Sequence, residues 1–499
     1  MGLSDLIRLL EANPVYRARY VHVRETGPEP AQYGDLDTPL IPALAEYLDQ
    51  HGIRLYAHQC EAINLVRNGK NVILTTATAS GKTLAFNLPV LECLAAEPGA
   101  RALYLYPTKA LANDQILSLE QMAAYTGIDV NPAIYDGDTP QSKRSAIREH
   151  ARVVLSNPHE VHHMLSWHAK WQPFFANLEF IVIDEAHRYR GVFGSHIAFV
   201  IRRILRLCRY YGSDPRFILS TATLANPCDF AHALTGHDFA LVDSDGSPRG
   251  KHSFVLYNPF YNGISERSLH QETKDLLVSC VKENLQTLCF TGSRKMAELI
   301  SVWARDDAKR ISQHLADTIS VYRAGYLPEE RRAIERQLKD GSLKGVVSTN
   351  ALELGIDVGS LDAVIISGYP GTMMSTRQQA GRAGRKGKES LALLVAQANP
   401  LDQYFMQHPD QFFSAPHEHA VIDTSNPYIV SGHLLCAAAE LPLKEETDRG
   451  FFGNQISDLL TELGADDLLR KTARGWVYTG RGRASEAVRS MASREKPSG

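Results

Sequence analysis

The sequence predicts two parallel-sheet α/β domains in tandem, followed by a small, mostly helical module. Three observations carry that expectation. First, apolar runs such as Ala102-Leu103-Tyr104-Leu105-Tyr106, Val153-Val154-Leu155, Phe180-Ile181-Val182-Ile183 and Phe217-Ile218-Leu219 each end in polar residues and alternate with helical patterns, which is how buried parallel strands read. Second, a similar series, including Thr287 to Phe290, Thr318 to Tyr322, Gly345 to Ser348, Ala363 to Ile366 and Leu391 to Ala396, begins after the probable linker Asp243 to Pro248. Third, from Pro427 the apolar spacing turns helical (Ile456, Leu459, Leu460, Leu463) and ends in Gly475-Trp476-Val477-Tyr478, which suits a winged helix. A chain of 499 residues also exceeds one ordinary core.

Composition narrows the class. Hydrophobic residues make up 44% and charged ones 22%, as in globular proteins. The net charge of −3 requires any nucleic-acid contact to come from local basic patches. No apolar run is long enough to span a bilayer, and Met1 to Tyr20 has no signal-like stretch. Cys60, Cys93, Cys208, Cys228, Cys280, Cys289 and Cys436 show neither zinc-knuckle spacing nor a disulfide pattern. A reduced, cytosolic protein is expected.

In chain order, residues 1–50 read as an approach segment, with Pro28, Pro30, Pro39 and Pro42 interrupting any long helix. At Tyr56 and Gln59 the residue types suit either an adenine reader, since a glutamine amide can pair with an adenine edge, or a polar helix start. Next comes Thr75-Thr76-Ala77-Thr78-Ala79-Ser80-Gly81-Lys82-Thr83, between an apolar run and a helical pattern. Small residues there let backbone N–H groups close on phosphate oxygens, and the new helix adds its positive end. Lys82 would reach the β- and γ-phosphates and the Thr83 hydroxyl would ligate Mg²⁺. Thr76 stands where this motif usually carries its first glycine.

Asp184 and Glu185 close an apolar run, where one carboxylate can hold Mg²⁺ and its neighbour can act as general base on water. Asp184 is assigned to the metal and Glu185 to the base. Arg382 and Arg385, three apart, suit either charge neutralisation on a γ-phosphate from the opposite domain or a solvated basic helix. On the helix after Asp184, Arg202, Arg206 and Arg209 share a face, read as solvated rather than as a nucleic-acid contact.

The phosphate loop, Asp184-Glu185-Ala186-His187, Ser220-Thr221-Ala222-Thr223, Gly355-Ile356-Asp357 and Gln378-Gln379-Ala380-Gly381-Arg382-Ala383-Gly384-Arg385 occur in this order. In combination they resemble the superfamily 2 helicases of the DExH type, over about Tyr56 to Ala396. The resemblance implies two RecA-like domains clamping ATP and tolerance of Thr76. It implies nucleotide contacts by Tyr56, Gln59, Thr78, Ala79, Ser80, Gly81, Lys82, Thr83, Gly355 and Asp357, with a catalytic part for Gln378 beside Lys82, Glu185, Arg382 and Arg385. His187, Ser220 and Thr221 would couple hydrolysis to grip on nucleic acid. Pro107, Thr108, Lys109, Ser156, Asn157, Ser293, Arg294 and Thr349 would touch one strand's backbone.

Further residues look like the bacterial mitomycin-repair helicases and their fungal relatives: Tyr322 to Pro328, Arg190 to His196, Asp402 to Phe405, His408-Pro409 and His433 to Glu440. That family implies DNA repair and 3′-to-5′ movement. Its four-cysteine zinc domain has no counterpart in these residues, so no zinc is expected. The expected divisions are 1–50, 51–245 (ATP-binding), 250–420 and 421–499, the last with a mobile basic tail. ATP and Mg²⁺ are the expected cofactors, and single-stranded or tailed duplex DNA the expected partner, at a cytoplasmic location. Hydrolysis stimulated by single strands is expected, with weak strand displacement. An RNA helicase and a nucleotide-gated binding module that does not unwind are the competing readings, since phosphate contacts do not discriminate sugars.

Overall fold

The computed structural model describes residues 3, 12, 19–77, 80–260, 267–323, 325–353, 359, 361–384 and 387–488. The chain divides into two compact units, each assembled from separated pieces. One, here the loop unit, comprises Tyr33–Thr76, Gly81–Asp245 and His419–Gly499; the other, the arginine unit, comprises Met1–Gln32, Ala77–Ser80 and Gly246–Glu418.

The loop unit is built on a seven-stranded sheet, ordered β4-β5-β3-β6-β7-β2-β8. Its strands are β2 (Val72–Leu74), β3 (Arg101–Leu105), β4 (Pro132–Ile134), β5 (Val153–Ser156), β6 (Leu178–Ile183), β7 (Arg216–Ser220) and β8 (Ala240–Val242). Every pairing is parallel. The central strands are buried on both faces, which explains their unbroken apolar runs. With β7 between β2 and β6, the carboxyl ends of three neighbouring strands carry the phosphate loop, Ser220-Thr221 and Asp184-Glu185. Ligands of open parallel sheets gather at that edge.

Residues 419–499 belong to the loop unit. Helices Pro427–Glu440, Glu445–Phe452 and Ile456–Ala465 precede the antiparallel hairpin Leu469–Thr472 and Gly475–Tyr478, the expected winged-helix succession. The module packs on helix Gly191–Tyr211, which overturns the solvated reading for Arg206, while Arg209 stays exposed and Arg202 is half-buried. Arg206 is buried against Asp448 at 2.8 Å, Arg209 lies over the Phe451 ring at 4.6 Å, and Arg202 lies over Phe199 at 5.1 Å. Arg203, fully buried, forms an ion pair with Glu440. The helix period reported a polar stripe correctly, but at Arg206 a buried carboxylate of a distant segment covers it.

The arginine unit holds the second seven-stranded sheet, ordered β1-β9-β14-β13-β10-β12-β11. Its strands are β1 (Tyr20–Thr26), β9 (His252–Tyr257), β10 (Thr287–Thr291), β11 (Ile319–Tyr322), β12 (Gly345–Ser348), β13 (Ala363–Ser367) and β14 (Ser390–Val395). All pairings are parallel except β1 with β9. The expected approach segment therefore contains an edge strand of this sheet. Arg19, just before β1, pairs with fully buried Glu272, which also accepts the Tyr257 hydroxyl at 2.8 Å. Among the described residues no helix is long and apolar enough to cross a membrane.

Candidate nucleotide-hydrolysing site

After β2 the chain turns through the loop into helix Lys82–Ala96, whose N-cap is Gly81 at φ 82°. Two facts require glycine there. The backbone is left-handed, and an added Cβ would lie 2.5 Å from Nε2 of Gln59. Gln59 is buried and occupied at both ends: its Oε1 accepts the Tyr56 N–H at 2.8 Å and its Nε2 donates to the Gly81 carbonyl at 2.8 Å. In this arrangement Gln59 braces the loop rather than offering its amide to a base. Lys82 Nζ donates to the Thr76 carbonyl at 2.8 Å, spanning the space that loops of this kind close around phosphate. Thr83 follows at the start of the same helix. Thr78 and Ala79 lie outside the described residues.

Asp184 and Glu185 follow β6, both buried. Oδ1 of Asp184 accepts the Glu185 N–H at 2.9 Å and the Ser220 hydroxyl. Burial, then the neighbouring Glu185 charge, pushes Asp184 up to about 6. Two adjacent buried carboxylates are a poor arrangement without a cation. The Asp184 carboxylate and the Thr83 hydroxyl are hard oxygen donors of the kind that suits Mg²⁺, which usually takes one or two carboxylates and completes its shell with water and phosphate. Glu185 sits at φ 50°, a left-handed conformation unusual for a residue with a side chain. Strain of that kind persists where the surroundings over-determine it. His187, fully buried, accepts the Ala222 N–H at Nδ1 (3.2 Å) and lies 3.4 Å from Glu185 Oε2. Thr223 Oγ1 reaches the Thr75 carbonyl at 3.4 Å. Asp184, Glu185 and Ser220 are thus joined by hydrogen bonds, and the Ser220–Thr223 segment is bonded in turn to His187 and to Thr75 of the phosphate loop.

The residues expected at a nucleic-acid backbone do something more local first. Thr108 accepts the Leu111 N–H at 3.3 Å, Asn157 that of Glu160 at 3.0 Å, and Ser293 that of Met296 at 3.2 Å. Each caps the helix that opens at the carboxyl end of its strand, so three helix N-termini are fixed at strand ends. Pro107 precedes the first of them and Arg294, exposed, opens the third. Ser156 is turned inward, its hydroxyl donating to the Tyr135 carbonyl at 2.6 Å. Lys109 pairs with Asp138 at 2.9 Å. Thr349 precedes the short 3₁₀ turn Asn350–Leu352 without a side-chain cap.

In the arginine unit, Arg382 is fully buried and its Nε donates to the Glu353 carbonyl at 3.1 Å. Gln379 Nε2 and the Ser375 hydroxyl donate to the Glu353 carboxylate at 2.8 and 2.7 Å. Gln378 is also buried on helix Met373–Ala380. Glu353, which sequence reasoning passed over, is the hub that holds this helix and Arg382; its place between Thr349 and Asp357 was the available signal. Tyr33 was missed too: it stacks on Tyr56 with centroids 5.7 Å apart and lies under Arg54 at 4.3 Å. Gly355, Asp357 and Arg385 lie outside the described residues.

A phosphate loop and paired carboxylates on one parallel sheet, with a second parallel sheet carrying the arginine motif, place the chain in the tandem RecA-like class. The comparisons narrow this class. Residues 56–230 match the DEAD/DEAH box helicase family, 270–387 the helicase conserved C-terminal domain, and 422–489 the winged helix domain of ATP-dependent helicase HRQ1. The chain is 43% identical over 482 residues to the uncharacterized ATP-dependent helicase YprA of Bacillus subtilis, covering 96% of this chain and 63% of that one. It is 39% identical over 442 residues to ATP-dependent helicase hrq1 of Schizosaccharomyces pombe, covering 86% and 42%. A crystal structure of the DUF1998 helicase MrfA bound to DNA and AMPPNP superposes with a TM-score of 0.91 at 42% identity, covering 97% of this chain and 67% of that one. This chain belongs to the DEAD/DEAH-box ATP-dependent helicases, in the branch that carries an HRQ1-type winged helix. The expected kinship with bacterial and fungal helicases of this branch is borne out, as are the tandem RecA-like sheets and the helical C-terminal module. The chain spans under two thirds of the length of the two curated relatives.

Proposed function

We propose that this chain is the motor of an ATP-dependent DNA helicase that tracks 3′ to 5′ along one strand and serves DNA repair. The observation that carries the reading is that Asp184 Oδ1 accepts both the Glu185 N–H and the Ser220 hydroxyl, in the sheet whose neighbouring strand leads into the Lys82 loop. It gives hydrolysis a base, a metal ligand and a path outward. The MrfA comparison, bound to DNA and AMPPNP, supports DNA and ATP as its ligands. All seven cysteines are free thiols, which suits a reducing, cytoplasmic setting.

Within this proposal Lys82 places the terminal phosphates, and Thr83 and Asp184 hold Mg²⁺, which when bound polarises the γ-phosphoryl oxygens. Glu185 orients the attacking water and takes its proton. Ser220 hydrogen-bonds the same carboxylate oxygen that turns the Glu185 backbone, so movement of Ser220-Thr221 would reach the base directly. Arg385 supplies charge to the transition state with Gln378 of the same motif, and Arg382 and Gln379 are fixed by their bonds to Glu353. Gly355 and Asp357 complete the nucleotide contacts. Pro107, Thr108, Lys109, Ser156, Asn157, Ser293, Arg294 and Thr349 place helix N-termini and polar groups along the strand.

ATP turnover with single-stranded DNA, duplex DNA and RNA, run beside strand displacement on duplexes tailed at either end, tests the reading. Stimulation by single-stranded DNA and preference for a 3′ tail are expected. Stimulation by RNA alone, or preference for a 5′ tail, would overturn the substrate or the polarity.

A further inference from the structure

Beside the caps of the loop unit lies a cavity of about 270 Å³ whose lining includes Tyr135, Arg144, Arg148, His163, Trp167 and Lys170. Trp167 is 58% exposed, an unusual place for so large an apolar surface. It is nevertheless held firmly. Its N–H donates to the Met164 carbonyl at 2.9 Å and its carbonyl accepts the Lys170 N–H at 2.8 Å. The turn is pinned on both sides of the following residues. The His168 ring is 2.7 Å from the Tyr211 hydroxyl and 2.8 Å from the Glu440 carbonyl, and buried Trp171 meets the Tyr135 ring edge-on at 4.8 Å. Lys170 Nζ lies over the Trp167 ring at 4.6 Å, so one face carries a cation while much of the indole stays open to solvent.

The opposite wall is also fixed. Arg144 lies over Tyr135 at 4.9 Å and bonds Glu160 at 3.0 Å and the Asp136 carbonyl at 2.9 Å. Three cations thus line the cavity against one carboxylate, Glu160. The cavity shares a helix and a strand end with two of the proposed backbone contacts. Helix Pro158–Leu165, which carries His163 and Met164, is capped by Asn157, and the Tyr135 carbonyl receives the Ser156 hydroxyl.

We propose that Trp167 is a stacking platform for an unpaired base of the strand held at Asn157, with Arg148 and Lys170 neutralising the adjoining phosphates. The proposal rests on the nucleic-acid reading above and adds a site to it. An exposed aromatic ring on a pinned turn, among cations, is the chemistry that grips single strands without reading sequence, because every base has a π-face. Duplex DNA, whose bases are already stacked, gains nothing from it. The cavity volume suits one nucleotide, being below the range typical of drug-sized ligands.

The test uses the full chain and oligothymidines carrying one 2-aminopurine at successive positions. In the unsubstituted protein one position should show quenched fluorescence, and Trp167→Ala should restore it. Trp167→Ala should weaken single-strand affinity by about five- to 150-fold, Trp167→Phe should recover most of it, and ATP turnover without DNA should be unchanged. Lys170→Ala and Arg148→Ala should each lower the slope of log affinity against log salt by about 0.7. If the unsubstituted protein binds no single strand, the nucleic-acid reading itself fails and takes this site with it. If it binds, and Trp167→Ala binds equally with no change in 2-aminopurine signal, the platform alone is overturned.

Discussion

Gly81 answers to two constraints at once, its left-handed backbone and the Gln59 amide in the space a Cβ would occupy. Gly81→Ala should therefore displace Gln59 or the loop and lower nucleotide affinity at least tenfold, measured by fluorescent-nucleotide titration, while the melting midpoint moves little. Glu185→Gln should keep nucleotide affinity and reduce turnover by about 10²–10⁴, the range of general base catalysis; near-normal turnover would remove Glu185 from that role. Lys82→Ala should lose both affinity and turnover. At this scale the sequence was legible in placement: Lys82 and Thr83 open the helix after β2, and Asp184 and Glu185 follow β6 in the same sheet. It was illegible where one residue has two possible partners. Gln59 has an amide that suits adenine equally well, and only the fold shows one end committed to its own helix start and the other to the loop.

Helix Gly191–Tyr211 shows the same limit at the next scale. Its period announced a polar stripe, but the partners, Glu440 and Asp448, lie over two hundred residues away and no local pattern points to them. Losing one member of a buried pair leaves an uncompensated charge, so Glu440→Gln should cost roughly 3–5 kcal/mol, whereas Arg203→Met with Glu440→Leu should be close to neutral. Chemical denaturation of the three proteins checks the difference. Three histidines complete this interface. Arg203 Nη1 donates to Nδ1 of His162 at 2.8 Å and to Nδ1 of His433 at 3.3 Å, and His433 Nε2 lies 3.2 Å from His196 Nδ1. Burial first, then the Arg203 charge, pulls His162 down to about 3 and His433 well below its usual value, and burial lowers His196. The unfolded chain protonates these rings near 6.5 while the folded chain does not. It therefore binds more protons as pH falls, and stability drops with acidification from about pH 6.5 toward 3. Each ring that stays neutral would cost about 2 kcal/mol at pH 5. The melting midpoint should fall between pH 7 and pH 5, and His433→Phe should flatten that fall; a flat profile in the unsubstituted protein would refute the assignment.

Over the whole molecule, the two parallel sheets and the helical module were legible because alternating buried strands and helices leave a strong one-dimensional pattern. The edge strand β1 was not, since half of an edge strand faces water and its residues mix Arg24 and Glu25 among the apolar ones. Nor was the discontinuity of the units. Because residues 33–245 and 419–488 fall in one compact unit, the span 33–245 alone should expose Arg203 and Arg206 without their carboxylate partners. It should be aggregation-prone, whereas the same span joined by a flexible linker to 419–488 should give a monodisperse protein by size-exclusion chromatography.

The same interleaving governs how the protein is born. A ribosome delivers β1 more than two hundred residues before β9, the strand it pairs with, so the first strand must wait, unpaired, through synthesis of most of the loop unit. That unit waits in turn, because Glu440 and Asp448 emerge after the arginine unit is nearly complete. Neither half can finish before the other has largely been made. A nascent chain halted near residue 245 therefore presents an orphan strand and an arginine-studded helix to whatever chaperones meet it.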